Sequence, residues 1–377
     1  MKVLLIGNYA GNEQESIQRY SDLLVRGLRD ADCDVHLVHP TRITARKWLP
    51  DGLGKWLAYL DRFVLFLPKL RAELKWADIV HMTDTVNATL VSHVQSKPNV
   101  VTCHDMTSIR SALGELEHPT RWTGRIYQKW ILRGLKRTNH IVCVSNQTRA
   151  DVLRIVGCSA ERVSVVHNAM NYPYSPMEST ETEQWLGRLQ LNPRTPFLLH
   201  VGDNGWNKNR EGVIRIFSKL INSDKPYRGQ LVLAGKPWSS SMRSLIRSLG
   251  LDGRISEIIS PPNEGLRALY SRADAFLFPS LYEGFGWPII EAQACGCLVI
   301  TSNHAPMTEV GGDAAVYIDP SNERDASAKI MAVMKSDRSG LRVAGFRNVK
   351  RFDVTSMVEG CLKAYRVARG TRKSGET

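Results

Sequence analysis

Short runs of apolar residues, rich in valine and isoleucine, recur along the chain with longer polar or amphipathic stretches between them. Runs of this length without alternation mark strands buried on both faces, as in a parallel sheet covered by helices. A first series occupies residues 3–6, 35–38, 79–82, 100–103, 141–144 and 163–166. A polar stretch over 171–196, holding Pro173, Pro176, Pro193 and a cluster of Glu and Thr, interrupts the rhythm and reads as a linker. The second series restarts at 197–201 and continues at 231–234, 255–259, 275–278, 298–300 and 315–318. The pattern predicts two doubly wound, Rossmann-like α/β domains, residues 1–170 and 197–352, facing a central cleft. Residues 353–377 are expected to form a C-terminal helix able to cross back to the first domain, followed by a polar tail.

In such domains ligands bind at the carboxyl ends of the strands, and the residues with chemistry to offer stand there. After the run 275–278 the chain reads Glu283-Gly284-Phe285-Gly286-Trp287-Pro288-Ile289-Ile290-Glu291. The two glycines loosen a loop, and Pro288 suits the first position of a helix, where its missing N–H costs nothing. The backbone donors then left free are those of Ile289, Ile290 and Glu291, and the helix dipole adds positive potential at the same spot. An anionic group is expected to dock there. Glu283 and Glu291 flank it as acceptors for sugar hydroxyls, although the pair alone reads equally well as a first-turn acid and a solvated loop charge. After 197–201 comes Gly202-Asp203-Asn204-Gly205-Trp206-Asn207-Lys208-Asn209. Here the glycines admit a ligand to the backbone and Lys208 can neutralise a diphosphate; a lone exposed lysine is the alternative. The run 100–103 ends in His104-Asp105, where an isolated histidine reads equally as a satisfied strand-end residue. The run 3–6 ends in Gly7-Asn8-Tyr9-Ala10-Gly11-Asn12, a loop without the GxGxxG spacing of a dinucleotide fingerprint.

From Asp274-Ala275 through the two glutamates, with seven residues between them, to Glu309-Val310, the chain resembles the donor-site signature of retaining glycosyltransferases of family 4, which have the GT-B fold. The resemblance implies an enzyme that moves a sugar from a nucleotide diphosphate sugar to an acceptor hydroxyl with retention at the anomeric carbon. Neither metal nor cofactor is implied, and the product would be a cell-surface polysaccharide or glycolipid. By the same resemblance Glu291 binds the ribose, and Glu283 with the backbone of Phe285 and Gly286 binds the donor sugar. Trp287, Pro288, Ile289 and Ile290 form the helix mouth at the phosphates, with Gly202, Lys208 and Asn209 around the leaving group. His104 lies near the reactive centre, and Gly7, Asn8, Tyr9 and Asp105 stand on the acceptor side. The family carries an arginine five residues before the lysine, where this chain has Asp203. That departure leaves Lys208 and the helix mouth as the chief counter-charges. The family also opens the first helix with an Arg-Tyr-like pair; Arg19-Tyr20 fits and Ser16-Ile17 does not. Two neighbouring readings share the fold: a nucleotide-sugar epimerase, against which the glutamate spacing speaks, and a non-catalytic subunit that binds a nucleotide sugar, which Asp203 leaves open.

Composition fits two ordinary soluble domains. At 377 residues the chain is long for one domain and comfortable for two, and no apolar run approaches the ~20 residues of a membrane span. Lys2 leads straight into a strand rather than a signal peptide, so a cytoplasmic protein is expected. Seven scattered cysteines lack the spacing of a disulfide framework or a zinc site. The net charge of +13 changes the picture because it is unevenly spread. Between His118 and Ala150 stand seven Lys or Arg and no Asp or Glu. Arg121, Arg125, Lys129 and Arg133 form a stripe on a predicted helix whose other face carries Trp122, Ile126, Trp130 and Ile131. The segment 42–75 mixes Arg46, Lys47, Lys55, Arg62, Lys69 and Arg71 with Trp48, Trp56, Leu57, Phe63 and Phe66. Such a surface suits peripheral contact with an anionic inner leaflet, each basic side chain contributing about 1 kcal/mol, and a lipid-linked saccharide acceptor. A solvated basic face over ordinary helices is the alternative. No nucleic-acid-binding module is present, so nucleic acid is not an expected partner.

Overall fold

The computed structural model describes residues 1–9, 15–44 and 51–373. Among the described residues twelve strands appear, where the apolar runs predict them. In the first sheet they are β1 (Lys2–Ile6), β2 (Asp34–Val38), β3 (Ile79–Met82), β4 (Asn99–Cys103), β5 (His140–Cys143) and β6 (Val163–Val165), and in the second β7 (Phe197–Gly202), β8 (Gln230–Gly235), β9 (Ile255–Ile259), β10 (Ala275–Phe278), β11 (Val299–Ser302) and β12 (Ala315–Ile318). Every pairing is parallel. The orders are β2-β1-β3-β4-β5-β6 and β12-β11-β10-β7-β8-β9. Because β3, β4, β5, β10 and β11 are covered by helices on both faces, every residue in them is buried. One apolar core gathers around Leu4, Val80, Val101 and Ile141, the other around Leu198, Leu231, Leu277 and Ile300. This is the GT-B fold class.

The two sheets belong to two compact units: Met1–Asn171 with Asp353–Thr377, and Tyr172–Phe352. The C-terminal helix Val354–Lys373 thus packs in the first unit. Of the stretch 171–196, expected as a linker, all but Asn171 falls in the second unit. Its prolines set an extended path that ends in the helix Ser179–Arg188, with Leu186 buried. Met177 N donates to Ser271 Oγ at 3.1 Å, and Arg267 donates to the carbonyls of Ser175 and Pro176, so the stretch is stitched to the helix Asn263–Arg272.

Both strand orders contain a reversal, between β1 and β3 and between β7 and β10. Adjacent loops leave in opposite directions at such a point and open a crevice at the carboxyl ends of the strands. The loops that follow β1, β7 and β10 at these reversals carry candidate chemistry, as does the one after β4 with His104 and Asp105.

Candidate functional site

In the second unit the loops after β7 and β10 lie against each other at the reversal. Leu281 N donates to Asn207 O at 2.7 Å, Asn207 Nδ2 to Tyr282 O at 3.0 Å, and Asn209 Nδ2 to Pro279 O at 3.0 Å. Asn209 takes a left-handed conformation, φ 53°, which its short side chain tolerates, and it opens the helix Arg210–Ile221. This stitching brings together two residues read separately in the sequence. Lys208 Nζ donates to both carboxylate oxygens of Glu283, at 2.8 and 2.9 Å, and sits 5.5 Å from the centroid of the Phe278 ring. The charge of the lysine is matched by the carboxylate expected to hold the sugar.

Gly286 adopts φ 104°, a conformation only glycine enters easily, and caps the helix Trp287–Ala294. The helix therefore begins one residue earlier than expected, with Pro288 second rather than first. Ile289 N donates back to Gly286 O at 3.0 Å, so this donor, expected to be free for an anion, is already engaged. Ile289 and Ile290 are fully buried, and Phe285 and Trp287 are largely so. Glu291 is also buried. It accepts from Tyr270 Oη at 3.1 Å, and burial with the nearby carboxylate pushes the Tyr270 hydroxyl pKa well up.

Two further polar groups beside this site escaped the sequence reading. Arg210 is 3 % exposed; its Nη1 donates to Asn204 Oδ1 at 2.5 Å and Lys236 O at 2.9 Å, bracing the loop, and burial pushes its pKa down. A basic residue opening a helix, where acids are favoured, was the available signal. His200 on β7 is fully buried, with Nδ1 2.8 Å from Leu277 O. A carbonyl only accepts, so Nδ1 carries the proton, and burial lowers the pKa to about 3. A Cβ on Gly202 would stand 3.2 Å from His200 Nε2, which is why that position is cramped for any larger residue. Asp203, where the family has arginine, caps Gly205 N at 2.8 Å.

In the first unit, Asn8 and Tyr9 follow β1 and are buried. Asn8 Nδ2 donates to Asp84 Oδ2 at 2.6 Å, and Tyr9 Oη to Asp61 at 3.0 Å. Asn87 Nδ2 reaches the carbonyls of Ile6 and Gly7 and the side chain of Asn8, which fixes the start of this loop. Gly11 and Asn12 lie outside the described residues. His104, after β4, is half-buried, with Nε2 2.9 Å from Thr83 O; Asp105 is exposed and caps Thr107 N at 2.8 Å.

Aromatic contacts join the two basic segments. Tyr59 and Tyr127 have ring centroids 6.0 Å apart, and Phe63 and Trp130 4.5 Å. Trp122, Ile126 and Trp130, expected on the opposite side of the helix Trp122–Arg137, are exposed beside Arg121, Arg125, Lys129 and Arg133; Ile131 alone of that set is buried. Each apolar residue follows a basic one by about 100° of helical turn, so a shared face is as natural as opposite faces. Trp56 and Trp122 are each 73 % exposed. Arg62 is not part of the charged surface. It is buried, donating to Tyr127 Oη at 2.9 Å and Asn87 Oδ1 at 3.0 Å. Phe66 is buried too, and residues 46–48 lie outside the described residues. Among the described residues no helix is long and apolar enough to cross a membrane.

Residues 181–345 match the family model of the glycosyl transferases group 1, and residues 17–172 that of glycosyltransferase family 4. The chain belongs to the group 1, family 4 glycosyltransferases. It is 29 % identical over 247 residues to the O-antigen chain mannosyltransferase B of Escherichia coli, a match over 64 % of either protein. It is 25 % identical over 326 residues, 82 % of this chain and 79 % of the relative, to the GDP-mannose:cellobiosyl-diphosphopolyprenol alpha-mannosyltransferase of Xanthomonas campestris. In structure it resembles Anabaena Alr3699/HepE, solved in complex with UDP and glucose, with a TM-score of 0.75 at 14 % identity over 96 % of this chain and 98 % of that one. The matches to the first relatives therefore span less than two thirds of their length.

Proposed function

We propose that this chain is a glycosyltransferase that moves a sugar from a nucleotide diphosphate sugar to an acceptor hydroxyl, with retention, in the assembly of a cell-surface polysaccharide or glycolipid. The observation that carries the reading is the Lys208–Glu283 pair at the strand reversal, with Glu291 in the helix behind it, in a chain of this family. A departing diphosphate competes with Glu283 for the ammonium, and the carboxylate so released is freed for the sugar hydroxyls. Glu291 holds the ribose. Lys208 with the backbone around Gly286 stabilises the leaving group, the electrostatic contribution that is the largest in many enzymes. His104 is assigned to the reacting sugar. The bond from the anomeric carbon to the phosphate oxygen breaks while the acceptor oxygen attacks the same face, and its proton passes to the leaving phosphate. No metal or cofactor enters this scheme. The nucleotide sugars named for relatives and neighbours support the donor class.

A panel of labelled UDP- and GDP-sugars with and without EDTA tests the reading. Transfer or slow donor hydrolysis, unchanged by EDTA, is the expected result. Interconversion of sugars would indicate an epimerase, binding without turnover a subunit, and activity lost to chelator and restored by magnesium would overturn the metal-free scheme.

We further propose that the acceptor is lipid-linked and that the exposed face around Trp56, Trp122, Ile126 and Arg125 meets an anionic membrane surface as a peripheral contact. Aromatic rings settle at the headgroup boundary while cations attract the leaflet. The diphosphopolyprenol acceptor in the name of the Xanthomonas relative supports a lipid-linked substrate. The protein is expected to sediment with phosphatidylserine-containing vesicles, much less with neutral ones, and to release at about 1 M salt, where the Debye length falls to about 3 Å. Failure to bind any vesicle, with full activity on a soluble sugar, would return this face to solvent.

A further inference from the structure

His104 is held on three sides. Its backbone N–H donates to Thr85 Oγ1 at 3.2 Å, and ring Nε2 lies 2.9 Å from Thr83 O. Because that carbonyl only accepts, Nε2 carries a proton and Nδ1 is the nitrogen left for a ligand. The third side is aromatic. The imidazole meets the ring of Tyr20 at 4.8 Å between centroids and 87°, an edge-on contact. Tyr20 comes from the helix Glu15–Asp30 and is 1 % exposed.

Tyr20 is itself fixed by a buried polar line. Its hydroxyl is 2.9 Å from Thr102 Oγ1; Thr102 Oγ1 is 2.7 Å from His81 Nε2; and His81 Nδ1 is 2.7 Å from the hydroxyl of Tyr365. Thr102, His81 and Tyr365 are fully buried. Tyr365 belongs to the C-terminal helix Val354–Lys373. Ser21, next to Tyr20, bonds Thr83 Oγ1 at 2.8 Å, so the same helix also braces the residue whose carbonyl accepts from His104. Satisfied buried networks rigidify what they touch, because breaking one leaves polar groups without partners in a low-dielectric interior. Ordinary core packing would explain the burial of Tyr20. It does not account for a hydroxyl line that ends on the ring against which the one half-exposed histidine of the cluster rests.

We propose that Tyr20 is a positioning residue for His104, fixing the plane and tautomer of its imidazole so that Nδ1 is presented to the substrate, with Tyr365 anchoring the arrangement from the far end of the chain. The inference rests on the reading that His104 acts at the reacting sugar, but it is testable without a donor. In ¹⁵N-labelled protein, the long-range imidazole spectrum is expected to show His104 as the single Nε2–H form in the wild type, and with a minor second form in Tyr20→Phe, which cuts the hydroxyl line but keeps the ring. Tyr20→Leu, which removes it, is expected to mix the two tautomers while thermal unfolding remains cooperative. Kinetics with GDP-mannose, or with whichever nucleotide sugar the panel finds to turn over, supply the second arm. Tyr20→Leu is expected to lower kcat about a hundredfold with donor KM little changed, and Tyr20→Phe to stay within about tenfold of wild type, since misplacing a reacting group by about 1 Å costs on that scale. In a His104→Ala background Tyr20→Leu is expected to cost less than about a further twofold, because two residues acting as one unit do not add. An unchanged tautomer spectrum together with full additivity would overturn the proposal. Unchanged turnover in His104→Ala alone would instead remove the role assigned to His104 and leave the positioning question to the spectrum.

Discussion

Lys208→Ala is expected to reduce kcat/KM for the donor by roughly ten- to a hundredfold, the equivalent of losing one charge-assisted contact worth about 1.5–3 kcal/mol. The structure adds a second expectation. Lys208 and Glu283 are joined at 2.8 and 2.9 Å with side chains only 20 % and 9 % exposed, so removing the lysine strands a largely buried carboxylate. That is expected to cost about 1–3 kcal/mol of stability beyond the catalytic loss. Glu283→Ala removes the carboxylate from a more exposed ammonium, and should lower turnover more than donor affinity because its carboxylate is assigned to the reacting sugar. The double variant separates the two effects. With neither charge present, unfolding is expected to return close to the wild-type midpoint while activity stays lost. Recovery of activity in the double variant, or unchanged kinetics in both single ones, would mean that the pair is a structural clasp and no part of the donor site.

The twelve strands were legible because a doubly covered parallel sheet demands uninterrupted apolar runs, which few other arrangements tolerate. Glycine loops at their ends marked the site for the same reason. The Lys208–Glu283 contact was not legible. It joins positions 75 residues apart and depends on strand order, β7 beside β10, which no local pattern encodes. Pro288 suits either of the first two helical positions, so the helix start slipped by one and with it the expected free donor at Ile289. Residues 172–196 were legible only as an interruption: their prolines shape a strap bonded to its own unit, which the pattern does not encode. Arg62 illustrates the limit of charge counting. Grouped with surface cations by its segment, it serves a buried hydrogen-bonded frame at the start of the loop after β1, and only the side-chain partners reveal this.

Glu291 offers a test that distinguishes ligand contact from folding. The carboxylate is 5 % exposed and accepts from Tyr270, whose ring is wedged edge-on between Tyr174 and Phe276. Glu291→Gln preserves the shape and an oxygen for the Tyr270 hydroxyl but removes the negative charge. If the carboxylate also accepts from the ribose diol, this single change is expected to weaken donor binding by roughly 1.5–3 kcal/mol, about ten- to a hundredfold in Kd, with little effect on the unfolding midpoint. Glu291→Ala should show the same binding loss and, in addition, about 1–3 kcal/mol of destabilisation from the orphaned tyrosine hydroxyl. Nucleotides lacking a ribose hydroxyl close the argument. Wild-type protein is expected to discriminate against the 2′- or 3′-deoxy form, and Glu291→Gln to lose that discrimination, since the group that sensed the hydroxyl is gone. Discrimination that survives intact in the glutamine variant would assign Glu291 to holding Tyr270 and move ribose recognition to another residue.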